Sequence, residues 1–132
     1  MHRKGATRAF GPGSDELAED FQKTGQPAMV PGDMGRASYI LAGLGNPITW
    51  SSCCHGAGRA KSRIQSSKSW RHEDPTAYMK TQGLDVLATS RRTISEEMPD
   101  AYKDVESVVG AVTEAKLAQK VARLKPSCVI KG

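Results

Sequence analysis

Large aromatic side chains are scarce in this sequence: two Trp, three Tyr and two Phe make up 5% of 132 residues. With so few bulky anchors and 38% hydrophobic residues, there is material for one modest core and not for two domains. Cysteine is equally sparse. Cys53, Cys54 and Cys128 give no disulfide framework, because adjacent cysteines rarely pair with each other. They make a poor zinc site too. Such sites use three or four ligands in separated pairs, and Cys128, His2 and His72 show no such pairing with the Cys53-Cys54-His55 cluster. No metal ligand is therefore expected from this chain. No apolar run is long enough for a signal peptide or a membrane span, so a reducing, cytoplasmic setting and no membrane partner are expected. The Walker spacing G-x-x-x-x-G-K-[ST] is also absent, as are internal repeats and low-complexity tracts.

What the sequence has is glycine, proline and positive charge. Thirteen Gly and seven Pro imply many turns, and point to a mixed α/β or α+β fold of short helices on a mixed sheet. The net charge of +5 favours anionic partners such as nucleic acid or nucleotide phosphates, or simply solvated faces. Its basic residues cluster at His2, Arg3, Lys4 and Arg8, and again from Arg59 to Arg71. The opening residues have no helix start and read as a chain entered in mid-fold. Ser14 is placed to cap a short helix reaching Gln22, and Ala28-Met29-Val30 is a short apolar run. Ala37 to Ala42 predicts a strand, residues 46–59 a loop, Asp74-Pro75 the start of a helix ending near Gly83, and Leu84 to Ala88 a second strand. Val105, Val108, Val109 and Val112 recur at helical spacing. The end of the chain reads as extended strands around Pro126.

The stretch Cys54-His55-Gly56-Ala57-Gly58-Arg59 carries the most chemistry. Glycines directly after a histidine let the backbone approach a ligand. Successive N–H groups in such a turn form an anion site, and arginine adds a bidentate phosphate partner. An imidazole beside that site is a competent nucleophile toward phosphorus; it is equally a common loop residue. Gly32-Asp33-Met34-Gly35-Arg36 is a second glycine turn, fit for a phosphate cradle or for a tight turn alone. Tyr102 is placed to stack on a base or to pack on the domain. The basic, serine-rich segment around Trp70 suits a nucleic-acid backbone or plain solvent.

Taken together, HRKGATRA from His2, Gly25-Gln26-Pro27, Gly32 through Tyr39, Cys54 through Arg59, Glu96-Glu97 with Ala101-Tyr102-Lys103, and Lys131-Gly132 resemble the RtcB RNA-ligase family in order and spacing. The likeness covers essentially the whole chain. It implies a carboxy-terminal segment, residues 1–132, of an RtcB-like ligase domain whose amino-terminal, metal-binding part is absent. Members of that family join RNA 3′-phosphate or 2′,3′-cyclic phosphate ends to 5′-hydroxyl ends, in tRNA splicing and RNA repair, using GTP and manganese.

By that resemblance His55 is the nucleophile that becomes guanylylated. Pro31, Gly32, Asp33, Met34 and Ser38 line the nucleotide site, Gly56, Ala57 and Gly58 lie at the phosphates, Tyr102 stacks on guanine and Lys131 meets its oxygen edge. Lys4, Arg8 and Arg59 are candidates for phosphate or RNA-backbone contacts. The Mn2+ ligands are expected in the missing amino-terminal part, so a separately encoded amino-terminal half is a candidate partner beside the RNA. An inactive remnant that binds nucleotide or RNA is the alternative. The family pattern G-[ST]-M-G-T here reads G-D-M-G-R, and a carboxylate facing phosphate requires Arg36 or a metal to compensate it.

Overall fold

The computed structural model describes residues 1–131. Its strands are β1 (Ala6–Arg8), β2 (Pro27–Pro31), β3 (Ser38–Gly43), β4 (Ser52–Cys54), β5 (Asp85–Ala88), β6 (Ala118–Leu124) and β7 (Cys128–Lys131), and its α-helices are α1 (Arg63–Ser69), α2 (Pro75–Thr81), α3 (Arg91–Glu96) and α4 (Val105–Glu114). The fold is thus mixed α and β, as expected. The strands form three small sheets: β1 with β4, the antiparallel trio β2-β3-β6, and the parallel pair β5-β7.

Helix starts follow local chemistry. Asp74 accepts from the Thr76 and Ala77 amides, with Pro75 in the first turn. Ser62 and Gln65 form a reciprocal capping box for α1. Asp104 caps α4 through the Ser107 amide at 2.8 Å. That helix buries Val105, Val109 and Val112 against Val30, Tyr39 and Leu41 of the trio, forming the larger core. A second, smaller core of Met34, Met79, Leu84, Val86, Ile94 and Met98 lies under α2, α3 and β5. Methionine suits this irregular space because its unbranched chain adapts to gaps.

Three expectations are corrected. Residues 14–22 form turns and a short 3-10 segment at Glu19–Phe21 instead of a helix. Only Leu17 is buried there, while Phe21 remains exposed, and the Gln22 amide satisfies the carbonyls of Ser14 and Leu17. Too little apolar surface is covered to hold a helical face. Within 46–59, Ser52–Cys54 is a strand and not loop, because it pairs antiparallel with β1. The basic segment beginning at Arg59 contains helix α1, and α3 lies where the sequence predicts no element. Both helices are short and carry few apolar residues, so periodicity gave no sign of them. No helix among the described residues is long and apolar enough to cross a membrane.

Candidate nucleotide site

The antiparallel pairing of β1 and β4 ends at Ala6 opposite Cys54, which delivers His55 to the rim of the larger core. The turn after it is held from two sides. The Ala57 amide donates to the Pro31 carbonyl at 3.0 Å, while the Ala60 and Lys61 amides both donate to the Ala101 carbonyl and the Lys103 amide donates to Gly58. The His55 turn is therefore stitched to the end of β2 and to the segment carrying Tyr102. A Cβ on Gly56 would lie 3.1 Å from the Pro31 carbonyl oxygen, and Gly58 takes a φ of 75°. Both positions use what only glycine offers.

Around this turn lies a cavity of about 530 Å3. Its wall contains His55, the β2–β3 turn residues Pro31, Gly32, Asp33, Met34 and Ser38, and the residues Gly56, Ala57 and Gly58. Tyr102 and Lys131 lie in it as well, with Gly5, Glu97, Pro126 and Val129. Every residue expected at the nucleotide, from four separate stretches of chain, meets at one space. His55 is exposed, and no hydrogen bond to its imidazole occurs among the described residues, so the ring is free to meet a substrate.

Of the three basic residues expected at phosphate or RNA, only Arg59 adjoins this cavity. Its Nη1 donates to the Glu97 carboxylate and to the Tyr102 hydroxyl oxygen, each at 3.2 Å, and its guanidinium lies 5.0 Å from the Tyr102 ring centre. One face of the tyrosine is thus taken. Lys4 lines a neighbouring cavity with His2, Ile48 and Trp50, and Arg8 lies over the Phe10 ring at 5.6 Å. Neither lines the wall around His55.

Glu97 is the side chain to which the motifs assigned no role. It lines the cavity, accepts from the Tyr102 hydroxyl, and lies 3.7 Å from the Lys131 ammonium. Burial alone would raise its carboxyl, but the Tyr102 hydrogen bond and the charges of Lys131, Arg59 and Arg63 hold it below the usual carboxylate range. Burial, and then the Glu97 contact, push the Tyr102 hydroxyl up. The signal was present in Glu96-Glu97 next to Ala101-Tyr102, but only the fold shows which of the two glutamates faces the His55 cavity.

The Asp33 departure is resolved locally. Its side chain is fully buried and paired with Arg36. Oδ1 accepts from the Gly35 and Arg36 amides at 2.9 and 3.0 Å. The carboxylate caps its own turn and is neutralised by Arg36, which also donates to the carbonyls of Pro99 and Tyr102. Preceding it, Gly32 donates to the Ala37 carbonyl, and a Cβ there would lie 2.2 Å from that oxygen and 2.9 Å from Val105 Cβ. Gly32→Ala is expected to destabilise the fold by about 1–3 kcal/mol. Urea denaturation checks this, and an unchanged midpoint would mean that the turn has room for a methyl group.

The residues fit a nucleotide better than a metal. Glycines open the wall, and Lys131 supplies a cation in it, with Arg59 behind Glu97 and Tyr102. No three His, Cys, Asp or Glu side chains among the described residues are grouped to hold an ion. The thiols nearest His55 are disfavoured as thiolates: burial pushes Cys53 up to about 11, and burial also raises Cys54.

Comparison with known proteins agrees with the motifs. The sequence profile described as tRNA-splicing ligase RtcB matches residues 1–132. The chain belongs to the RtcB family. It is 44% identical over its whole length to the tRNA-splicing ligase RtcB of Methanococcus maripaludis, covering 28% of that protein. It is 48% identical to the RNA-splicing ligase RtcB of Mycobacterium tuberculosis, covering 31% of it. Against the tRNA-splicing ligase RtcB of Pyrococcus furiosus it is 45% identical and covers 14%. The chain thus spans less than a third of each of these RtcB relatives.

Proposed function

We propose that this chain is the histidine-bearing carboxy-terminal segment of a GTP-dependent RNA ligase of the RtcB type. It would take part in joining RNA 3′-phosphate or 2′,3′-cyclic phosphate ends to 5′-hydroxyl ends. The observation that carries the reading is the convergence of His55, two glycine turns, Tyr102 and Lys131 on one cavity. In this reading an imidazole nitrogen of His55 forms a bond to the α-phosphorus of GTP. The bond to the bridging α–β oxygen breaks, pyrophosphate leaves, and the ring gives up its other proton. The GMP then passes to the RNA 3′-phosphate, turning it into an electrophile with a good leaving group, and the 5′-hydroxyl displaces GMP.

The parts divide the work. The Gly56 and Gly58 amides serve the phosphates while the Ala57 amide is held by Pro31, Tyr102 offers guanine the ring face not covered by Arg59, and Lys131 lies at the base edge. Arg59, tied to Glu97 and Tyr102, positions the stacking platform. Manganese would neutralise phosphate charge, but the residues present do not form a site for it. Its ligands would come from the part of the relatives outside the matched span, whether joined to this chain or encoded separately.

The intact mass of the purified chain after incubation with GTP and Mn2+, alone and mixed with the amino-terminal portion of a family relative, tests the reading. A GMP-sized increase in the mixture, absent in His55→Ala, is the expected result. A folded, complemented sample that gains no mass would overturn it in favour of a nucleotide- or RNA-binding remnant. An adduct persisting in His55→Ala would remove His55 as the nucleophile.

A further inference from the structure

A second cleft, of about 680 Å3, opens between α1 and α3. Arg63, Lys68, Arg71, Arg91 and Arg92 line it, against a single carboxylate, Glu96. That leaves a local charge of +4 in a chain whose net charge is +5. Not all of these cations are available. Arg91 donates to the Glu73 carbonyl at 2.5 Å, which ties α3 to the segment before α2. Arg92 bonds Glu96 at 2.7 Å. Lys68 and Arg71 are exposed and have no acidic partner among the described residues.

The cleft also has an apolar surface that a purely solvated helix face would not need. Ile64 is 68% exposed beside Trp70, whose ring is fixed by its indole bond to Asp100 at 3.0 Å and by packing on Tyr78. In the wall, the Ser67 hydroxyl is buried without a hydrogen-bond partner. At one end, Arg63 lies 3.8 Å from Glu96 and 3.7 Å from Glu97. Glu97 is itself part of the wall around His55. The cleft therefore adjoins the nucleotide site, with the Arg63–Glu97 pair between them.

Unpaired cations along a groove, with flat apolar surface between them, are what single-stranded nucleic acid requires: charge for the backbone and a platform for bases. We infer that the α1–α3 cleft binds single-stranded RNA, holding the strand a few nucleotides away from the end that reacts at His55. The role in ligation rests on the function proposed above; the binding itself does not. Lys68 and Arg71 contact phosphates, and Ile64 with Trp70 supports a base.

The test is fluorescence anisotropy of the full chain with a labelled single-stranded oligouridylate, across a salt series. Lys68→Ala/Arg71→Ala is expected to weaken binding about tenfold, and to lower the log–log salt slope by about 1.4 for two lost phosphate contacts. Ile64→Ala, which leaves charge untouched, is expected to weaken binding without changing the slope. Both substitutions are at exposed positions, and unchanged thermal unfolding confirms the fold. Guanylylation in the complemented mass assay should persist in the double variant. Undiminished RNA affinity in that variant overturns the inference, whatever the mass assay gives. Equal binding of a duplex at the same cleft overturns it as well, since stacking on Ile64 and Trp70 needs unpaired bases. Lost affinity with no guanylylation in any sample would uphold the cleft while removing the ligase reading.

Discussion

Arg59→Ala is expected to destabilise the fold by about 2–3 kcal/mol at neutral pH. The side chain is only 25% exposed, and its guanidinium donates to the Lys61 and Glu96 carbonyls, the Glu97 carboxylate and the Tyr102 hydroxyl. Its removal leaves only backbone hydrogen bonds between the His55 turn and the Glu96–Tyr102 segment, and leaves Glu97 half-buried with fewer cations. The loss stays below that of a fully buried pair because Lys131 and Arg63 remain 3.7 Å away. The penalty should also depend on pH. Glu97 has a lowered carboxyl in the folded state, so its contribution is present above the unfolded carboxylate value and fades as pH falls through the folded one. Once Glu97 is protonated, Arg59 has no anion to pair with. The difference between wild type and variant is therefore largest near pH 7 and shrinks below about pH 4. Urea denaturation at the two pH values measures it. A penalty independent of pH would mean that the carbonyl bonds, and not the ion pair, carry the effect.

Arg36→Ala is the second large loss, expected at about 2–4 kcal/mol. Asp33 is fully buried and Arg36 is the one cation paired with it among the described residues. Removing arginine strands a carboxylate inside the turn and also deletes the links to the Pro99 and Tyr102 carbonyls. The exposure of Arg36, 36%, keeps the figure under that of a sealed pair. The informative variant is the double one. Asp33→Ser/Arg36→Thr brings in the hydroxyl residues usual at this turn in the family. A serine oxygen there can still accept from the Gly35 and residue 36 amides. The double variant is thus expected to be more stable than Arg36→Ala, with a coupling of at least about 1 kcal/mol between the two positions. Additive effects would show that aspartate and arginine are not a compensating pair.

These two arginines show how far the sequence reaches. Arg59 stands in a motif, and its role near phosphate was suggested by its neighbours. Nothing local revealed that the same guanidinium bridges Glu97 and Tyr102, because those partners are 38 and 43 residues away. Asp33 looked like an anion set against phosphate. The turn geometry instead directs it onto its own backbone amides and Arg36, a matter of a few torsion angles that sequence spacing does not encode.

The elements divide in the same way. Caps and strong periodicity made α2, α4, β3 and β5 legible: Asp74-Pro75, the Val105–Val112 spacing and the apolar runs act over a few residues. Helices α1 and α3, with one or two buried residues each, exist by packing on each other and on the second core. The strand β4 exists by pairing with β1 across the chain. By itself the sequence determined the family, the mixed fold class and the set of residues around His55, since those reside in contiguous motifs. Only the tertiary structure decided that the set closes on one cavity, that Glu97 joins it, that Lys4 and Arg8 stand outside it, and that a basic cleft lies beside it. Each of those depends on contacts between residues far apart in the chain, which form only when the sheets and the two cores have packed.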